Sequence, residues 1–146
     1  MGVSQAIFHK AGVEELENYT QTTYNISYFT EDNLMQVGEI RITPGFHLGM
    51  DILFVQGPRA YDYQTLEEAR SLLLQTYKNL VETSYQKGYK NILMPSLGTG
   101  SYGFLHEEIA KDVINVLKAS LKEKEVQIDF VLYEESEARI YEKYLN

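Results

Sequence analysis

The longest regular pattern of apolar and polar positions runs over residues 65–87, where Leu66, Ala69, Leu73, Tyr77, Leu80 and Ser84 fall on one face of a 3.6-residue period. Thr65 and Glu68 stand three apart as a capping box, and Gly88 follows as a C-terminal stop. Residues 106–121 repeat the period, with Glu107 and Glu108 at the positive end of the helix. At the start of the chain Ala6, Ile7, Lys10, Ala11, Val13 and Leu16 keep helical spacing, and Gly12 marks a break between two short helices. A last short helix is predicted over residues 137–144, with Ser136 as its N-cap.

Between these stretches the period changes to two. Glu39-Ile40-Arg41-Ile42-Thr43 alternates, and Asp51-Ile52-Leu53-Phe54-Val55 is a short apolar run; Gly45 and Gly49 lie between them, which predicts a hairpin with a long loop. Residues 91–95 form a short apolar strand and residues 126–133 an alternating one. Residues 19–33 are polar and tyrosine-rich, read as helix end and loop with a short strand over residues 26–29. Strands and helices in alternation define βαβ units, hence one α/β domain spanning 1–146 with part of its sheet parallel.

Composition narrows the chemistry. With 146 residues the chain can bury about 68–70% of its unfolded surface without staples. It has no Cys, which removes disulfides, thiolate zinc sites and cysteine nucleophiles. Thirteen basic against 21 acidic residues, a net charge of -8, argue against nucleic acid as the main partner. No apolar stretch approaches the ~20 residues that span a bilayer. The N-terminus lacks the basic and apolar regions of a signal peptide, so the expected location is cytoplasmic and no membrane partner is expected. Met1-Gly2 begins like a myristoylation signal, but Ala6 occupies the position where Ser or Thr is required.

The densest chemical signal is Pro95-Ser96-Leu97-Gly98-Thr99-Gly100-Ser101-Tyr102-Gly103-Phe104, between a strand and the helix at His106. Ligands of open α/β sheets bind at the carboxyl ends of strands. Glycines let a ligand approach backbone N–H groups, which together with a helix N-terminus favour a phosphate without any lysine. Gly98, Gly100 and Gly103 also satisfy G-x-G-x-x-G, a nicotinamide-dinucleotide pattern. That pattern requires an acidic residue about 20 positions later, whereas the next strand ends at Tyr133-Glu134, and the motif comes late in the chain. The bland alternative is a tight turn that needs glycine for geometry alone. Phosphate binding takes precedence because glycines, hydroxyls and aromatics fill every position from Gly98 to Phe104.

Four segments in order resemble a macrodomain, the ADP-ribose-binding module. Gly2-Val3-Ser4-Gln5-Ala6-Ile7-Phe8-His9-Lys10-Ala11-Gly12 resembles the family's glycine-valine loop and first helix. Val37-Gly38-Glu39-Ile40-Arg41-Ile42-Thr43-Pro44-Gly45-Phe46-His47-Leu48 resembles its strand and glycine-aromatic loop, and Phe54-Val55-Gln56-Gly57-Pro58 its strand ending in Gly-Pro. The run from Asn91 to Phe104 resembles its second phosphate loop.

The resemblance implies a three-layer α/β/α sandwich with a mixed sheet whose first strands are missing, holding ADP-ribose or an ADP-ribosylated protein. Gly98, Thr99, Gly100, Ser101, Tyr102, Gly103 and Phe104 would surround the diphosphate and distal ribose, with Gly2 and Val3 the remnant of a first phosphate loop and Gly57 and Pro58 closing the wall. Tyr133 would border the adenine, where a stacking aromatic is worth ~1–3 kcal/mol in nucleic-acid examples.

The family's adenine-binding aspartate and asparagine-rich turn have no counterpart, and Ser4 stands where hydrolytic members carry an aspartate. The implied function is therefore binding, with hydrolysis of ADP-ribosyl or O-acyl-ADP-ribose bonds as the alternative and a nicotinamide-dependent enzyme as the remote one. No cofactor is expected, and His9, His47 and His106 have no metal spacing. A strand missing from the middle of a sheet leaves unpaired backbone. Either the remaining strands close up, or a homodimer covers the edge.

Overall fold

The computed structural model describes residues 3–25 and 35–146. The helix at the start is broken at Gly12 as expected. Helix α1 spans Val3–Ala11 and α2 spans Val13–Tyr24, because Gly12 sits at φ +116°, a conformation in which an added Cβ would strike the Glu15 carboxylate. Helix α2 runs well past Leu16, and the strand expected over residues 26–29 lies outside the described residues.

Strands β1 (Ile40–Thr43) and β2 (Ile52–Val55) form the antiparallel hairpin, in register Ile40 to Val55. Helix α3 (Leu66–Gln86) follows, its first turn closed by Thr65, whose Oγ accepts from the Glu68 N–H at 3.1 Å. Strand β3 (Asn91–Pro95), helix α4 (His106–Leu121) and strand β4 (Gln127–Val131) complete a parallel βαβ unit, and α5 (Glu135–Glu142) ends the fold. The cap of α5 is Glu134, not Ser136: the Glu137 carboxylate accepts from the N–H groups of Tyr133 and Glu134 at 3.1 and 3.4 Å. An acidic residue three positions after the cap closes the helix two residues earlier than the hydroxyl would.

The main core joins both strand pairs to one set of helices. Leu73, Tyr77, Val81, Met94, Phe104, Ile109, Val113 and Tyr141 are buried there, with Leu53 and Val55 of β2 packed against them. A second cluster of Ala11, Leu16 and Ile52, with Phe8 and Phe54, seats α1 and α2 on the other face of the hairpin. The result is an α/β fold in which the described strands form two pairs, β1–β2 antiparallel and β3–β4 parallel, rather than one continuous mixed sheet.

Among the described residues no ladder joins β2 to β3, so the strands have not closed up. The bond from Gln56 N–H to Glu39 O fixes the hairpin's alternation and turns the backbone groups of Leu53 and Val55 away from β1. Likewise Gln127 N–H donates to Lys90 O, which turns those of Leu93 away from β4. Side chains bridge the two pairs instead. Tyr89 O–H donates to Asp51 Oδ2 at 2.5 Å at the amino ends, and Gln56 Nε2 donates to Tyr102 Oη at 3.1 Å at the carboxyl ends. The outer edge of β1 is closed by Tyr24, whose hydroxyl donates to Ile42 O at 2.6 Å and accepts from Ile42 N at 3.2 Å.

Candidate functional site

At the carboxyl end of β3 the chain enters the glycine loop. Gly98, Gly100 and Gly103 all have positive φ (+81°, +75° and +91°), which explains the residue type at each. Their surroundings differ. A Cβ on Gly98 would lie 2.8 Å from the Phe104 ring and 3.1 Å from Leu73, so that glycine lets the loop lie on the core. A Cβ on Gly100 would meet nothing within 4 Å, so the space above it is open for a ligand. A Cβ on Gly103 would lie 3.4 Å from Ala60 and 3.5 Å from Tyr61, so the segment after Pro58 runs alongside the loop.

A 3₁₀ turn, Gly100–Tyr102, follows Thr99. The first N–H groups of such a turn have no partner within it, the arrangement that anion-binding turns share. Glu107 and Glu108 stand in the first turn of α4, where they complement the helix dipole. The loop is pinned from below by Tyr77, whose hydroxyl accepts from the Leu97 N–H at 2.7 Å. Burial holds the Tyr77 phenol well above its usual pKa, so it stays a neutral anchor.

The remaining expected site residues are distributed as follows. Gly57 and Pro58 are buried at the end of β2 beside the Gln56–Tyr102 bridge. Phe104 is 2% exposed and belongs to the core, so its side chain forms the floor beneath Gly98. Tyr133 is 93% exposed in the turn after β4, free to receive a flat ligand. Val3 opens α1 with its side chain exposed, and Gly2 lies outside the described residues. His47 is engaged away from the loop by Glu15 of α2 at 3.2 Å.

Sequence reasoning missed two groups. Gln56 was passed over although it precedes the Gly-Pro pair. Under the loop, a polar cluster joins three elements. Thr99 Oγ donates to Ser96 Oγ at 3.2 Å, Ser96 Oγ lies 3.2 Å from Tyr141 Oη, and Tyr141 Oη lies 2.8 Å from His106 Nδ1. His106 Nε2 in turn faces Glu137 Oε1 at 3.6 Å. Burial first, then the nearby charges of Glu137 and Glu107, raise the Tyr141 phenol above its usual pKa against the lowering hydrogen bond of Ser96. The signal available in the sequence was the i,i+4 pair Glu137 and Tyr141, which share one face of α5. No group of His, Cys, Asp or Glu among the described residues is arranged to hold a metal ion, and no helix among them is long and apolar enough to cross a membrane.

An α/β fold with a glycine loop at the end of a parallel strand defines a nucleotide- or phosphate-binding class. The Macro domain family profile matches residues 1–113, and the chain belongs to that family. An O-acetyl-ADP-ribose deacetylase of Escherichia fergusonii is 28% identical over 99% of this chain and 78% of its own length. One of Citrobacter koseri is 32% identical over 51% of this chain, a match that spans only 43% of that relative's length. A mutant Oceanobacillus iheyensis macrodomain solved with ADPR superposes with a TM-score of 0.81 at 29% identity, covering 99% of this chain and 76% of the other. The same bacterium's macrodomain with ADP gives 0.81 at 27% identity, with 99% and 75% covered. Membership of this family leaves the nicotinamide-dependent alternative without support.

Proposed function

We propose that this chain binds ADP-ribose, free or attached to protein, with the diphosphate on the loop from Gly98 to Gly103. The observation that carries the reading is the open space over Gly100, at a positive-φ position at the start of the 3₁₀ turn Gly100–Tyr102. The relatives with ADPR and ADP bound support it. Titration calorimetry with ADP-ribose tests it directly: saturable binding is expected, and no heat at millimolar ligand would end the proposal.

A second reading follows from the deacetylases among the relatives. In that reaction a water must be activated, and Ser4, exposed on the first turn of α1, has no carboxylate to do so. We therefore expect binding of O-acetyl-ADP-ribose without measurable release of acetate. Steady turnover by the purified chain would favour the hydrolase instead.

Tyr133 serves the adenine end in this reading. Tyr133→Ala is expected to weaken ADP-ribose roughly tenfold, the lower part of the range for loss of one stacked base, and to leave ribose-5-phosphate unchanged. Equal losses for both ligands would show a structural effect rather than stacking.

A further inference from the structure

The carboxyl ends of three strands lie side by side, and their order decides where each part of an extended ligand falls. Strands β3 and β4 are paired in parallel. Strand β2 runs the same way as β3 across the unpaired gap, since Tyr89–Asp51 joins their amino ends and Gln56–Tyr102 their carboxyl ends. A ligand with its adenine at Tyr133, beyond β4, and its diphosphate on the loop beyond β3 therefore points its far end at the segment that leaves β2. That segment closes on the loop through Tyr61, whose ring would lie 3.5 Å from a Cβ on Gly103. Arg59 Cζ lies over the same ring, 5.7 Å from its centroid, and Arg59 Nε donates to Asp62 Oδ2 at 2.8 Å. Ring and carboxylate together hold the guanidinium on the rim, and the bond through Nε leaves its amino groups to receive a further carboxylate.

We propose that Arg59 reads the protein side of an ADP-ribosylated protein, selecting a target in which acidic residues flank the modified one. This rests on the proposed binding of ADP-ribose and adds the class of protein that carries it. Charge favours it. Along residues 56–62, 96–105 and 132–134, which leave the ends of β2, β3 and β4, Arg59 is the only Lys or Arg, whereas the adenine end carries Glu134. A chain of net charge -8 repels an acidic peptide over most of its surface, so the Arg59 rim is where such a peptide meets attraction. Tyr61 is 64% exposed and half of the Arg59 side chain is open to solvent, which places both at the edge of the space over Gly100 rather than beneath it. Asp62 offsets part of the charge, so the expected effect is that of an exposed ion pair, small and sensitive to salt.

Two peptides ADP-ribosylated on one serine, identical except that flanking Glu residues in one are Gln in the other, test the rule by calorimetry beside free ADP-ribose. Wild-type protein is expected to bind the Glu peptide roughly threefold more tightly than the Gln peptide. In ~1 M salt, where the screening length is ~3 Å, that difference is expected to vanish. Arg59→Gln is expected to abolish the preference at low salt and Arg59→Glu to reverse it, with the affinity for free ADP-ribose unchanged in both. Arg59→Lys keeps the charge without the planar fork and is expected to retain part of the preference, a rescue that a purely structural role would not show.

The outcomes separate the two claims. No preference in the wild type, or a preference that survives Arg59→Gln, overturns the role of Arg59 while the binding of ADP-ribose stands. A loss of affinity for free ADP-ribose in Arg59→Gln that matches its loss for the Glu peptide would place Arg59 on the nucleotide itself and overturns the role likewise. Absence of binding to free ADP-ribose by the wild type overturns the proposed function, and the selection of acidic targets with it.

Discussion

Gly100→Val is expected to remove ADP-ribose binding, with a loss of at least roughly a hundredfold, about 2.7 kcal/mol, in calorimetry. Two effects add. A branched side chain in the open space over the turn occupies the position the diphosphate needs, since a Cβ there meets no protein atom within 4 Å and must point into that space. The residue must also hold φ near +75°, which for a non-glycine residue costs ~1–2 kcal/mol. That strain is shared by Gly100→Ala, whose methyl is smaller. The pair therefore separates backbone strain from blocked approach: similar thermal stability in both variants, with a much larger loss of affinity in the valine variant, is the expected pattern. Affinity retained by Gly100→Val would show that the diphosphate does not lie over the turn.

Much of this site was legible because it is local. The strand over residues 91–95, the three glycines and the helix at His106 are contiguous, so period, turn chemistry and loop position coincide in one stretch. Helix α3 was legible for the same reason, with its cap at Thr65 and its buried face at Leu73, Tyr77 and Leu80. The polar cluster was not. Ser96, His106, Glu137 and Tyr141 come from a loop and two helices that the fold brings together, and the spacing between 106 and 141 has no periodic meaning. The split between β2 and β3 is another tertiary property. Alternation predicts that Leu53 and Leu93 sit in strands, but it does not say which strand pairs with which. The bridges Tyr89–Asp51 and Gln56–Tyr102 that tie the two pairs together depend on a single hydroxyl or amide reaching across, which leaves no pattern in the chain.

Phe104 shows how the same loop is held by the core. It is 2% exposed and packs in the main cluster with Leu73, while its ring lies against the Gly98 backbone closely enough that a Cβ would come within 2.8 Å. Phe104→Ala is expected to lose about 3–5 kcal/mol of stability through lost burial and the cavity left behind. At this length that corresponds to a fall of roughly 10–20 °C in Tm. Phe104→Leu fills most of the volume and is expected to lose much less. Because the ring is what a side chain at 98 would strike, the two positions must be coupled. Gly98→Ala in the wild type suffers the strain of φ +81°, the clash with the ring and the 3.1 Å approach to Leu73; in the Phe104→Ala background the clash with the ring is gone. A double-mutant cycle read by urea denaturation is therefore expected to be non-additive, with Gly98→Ala cheaper once the ring is gone. Strict additivity would mean that Gly98 is glycine for its backbone conformation alone, and that the floor of the loop is not set by Phe104.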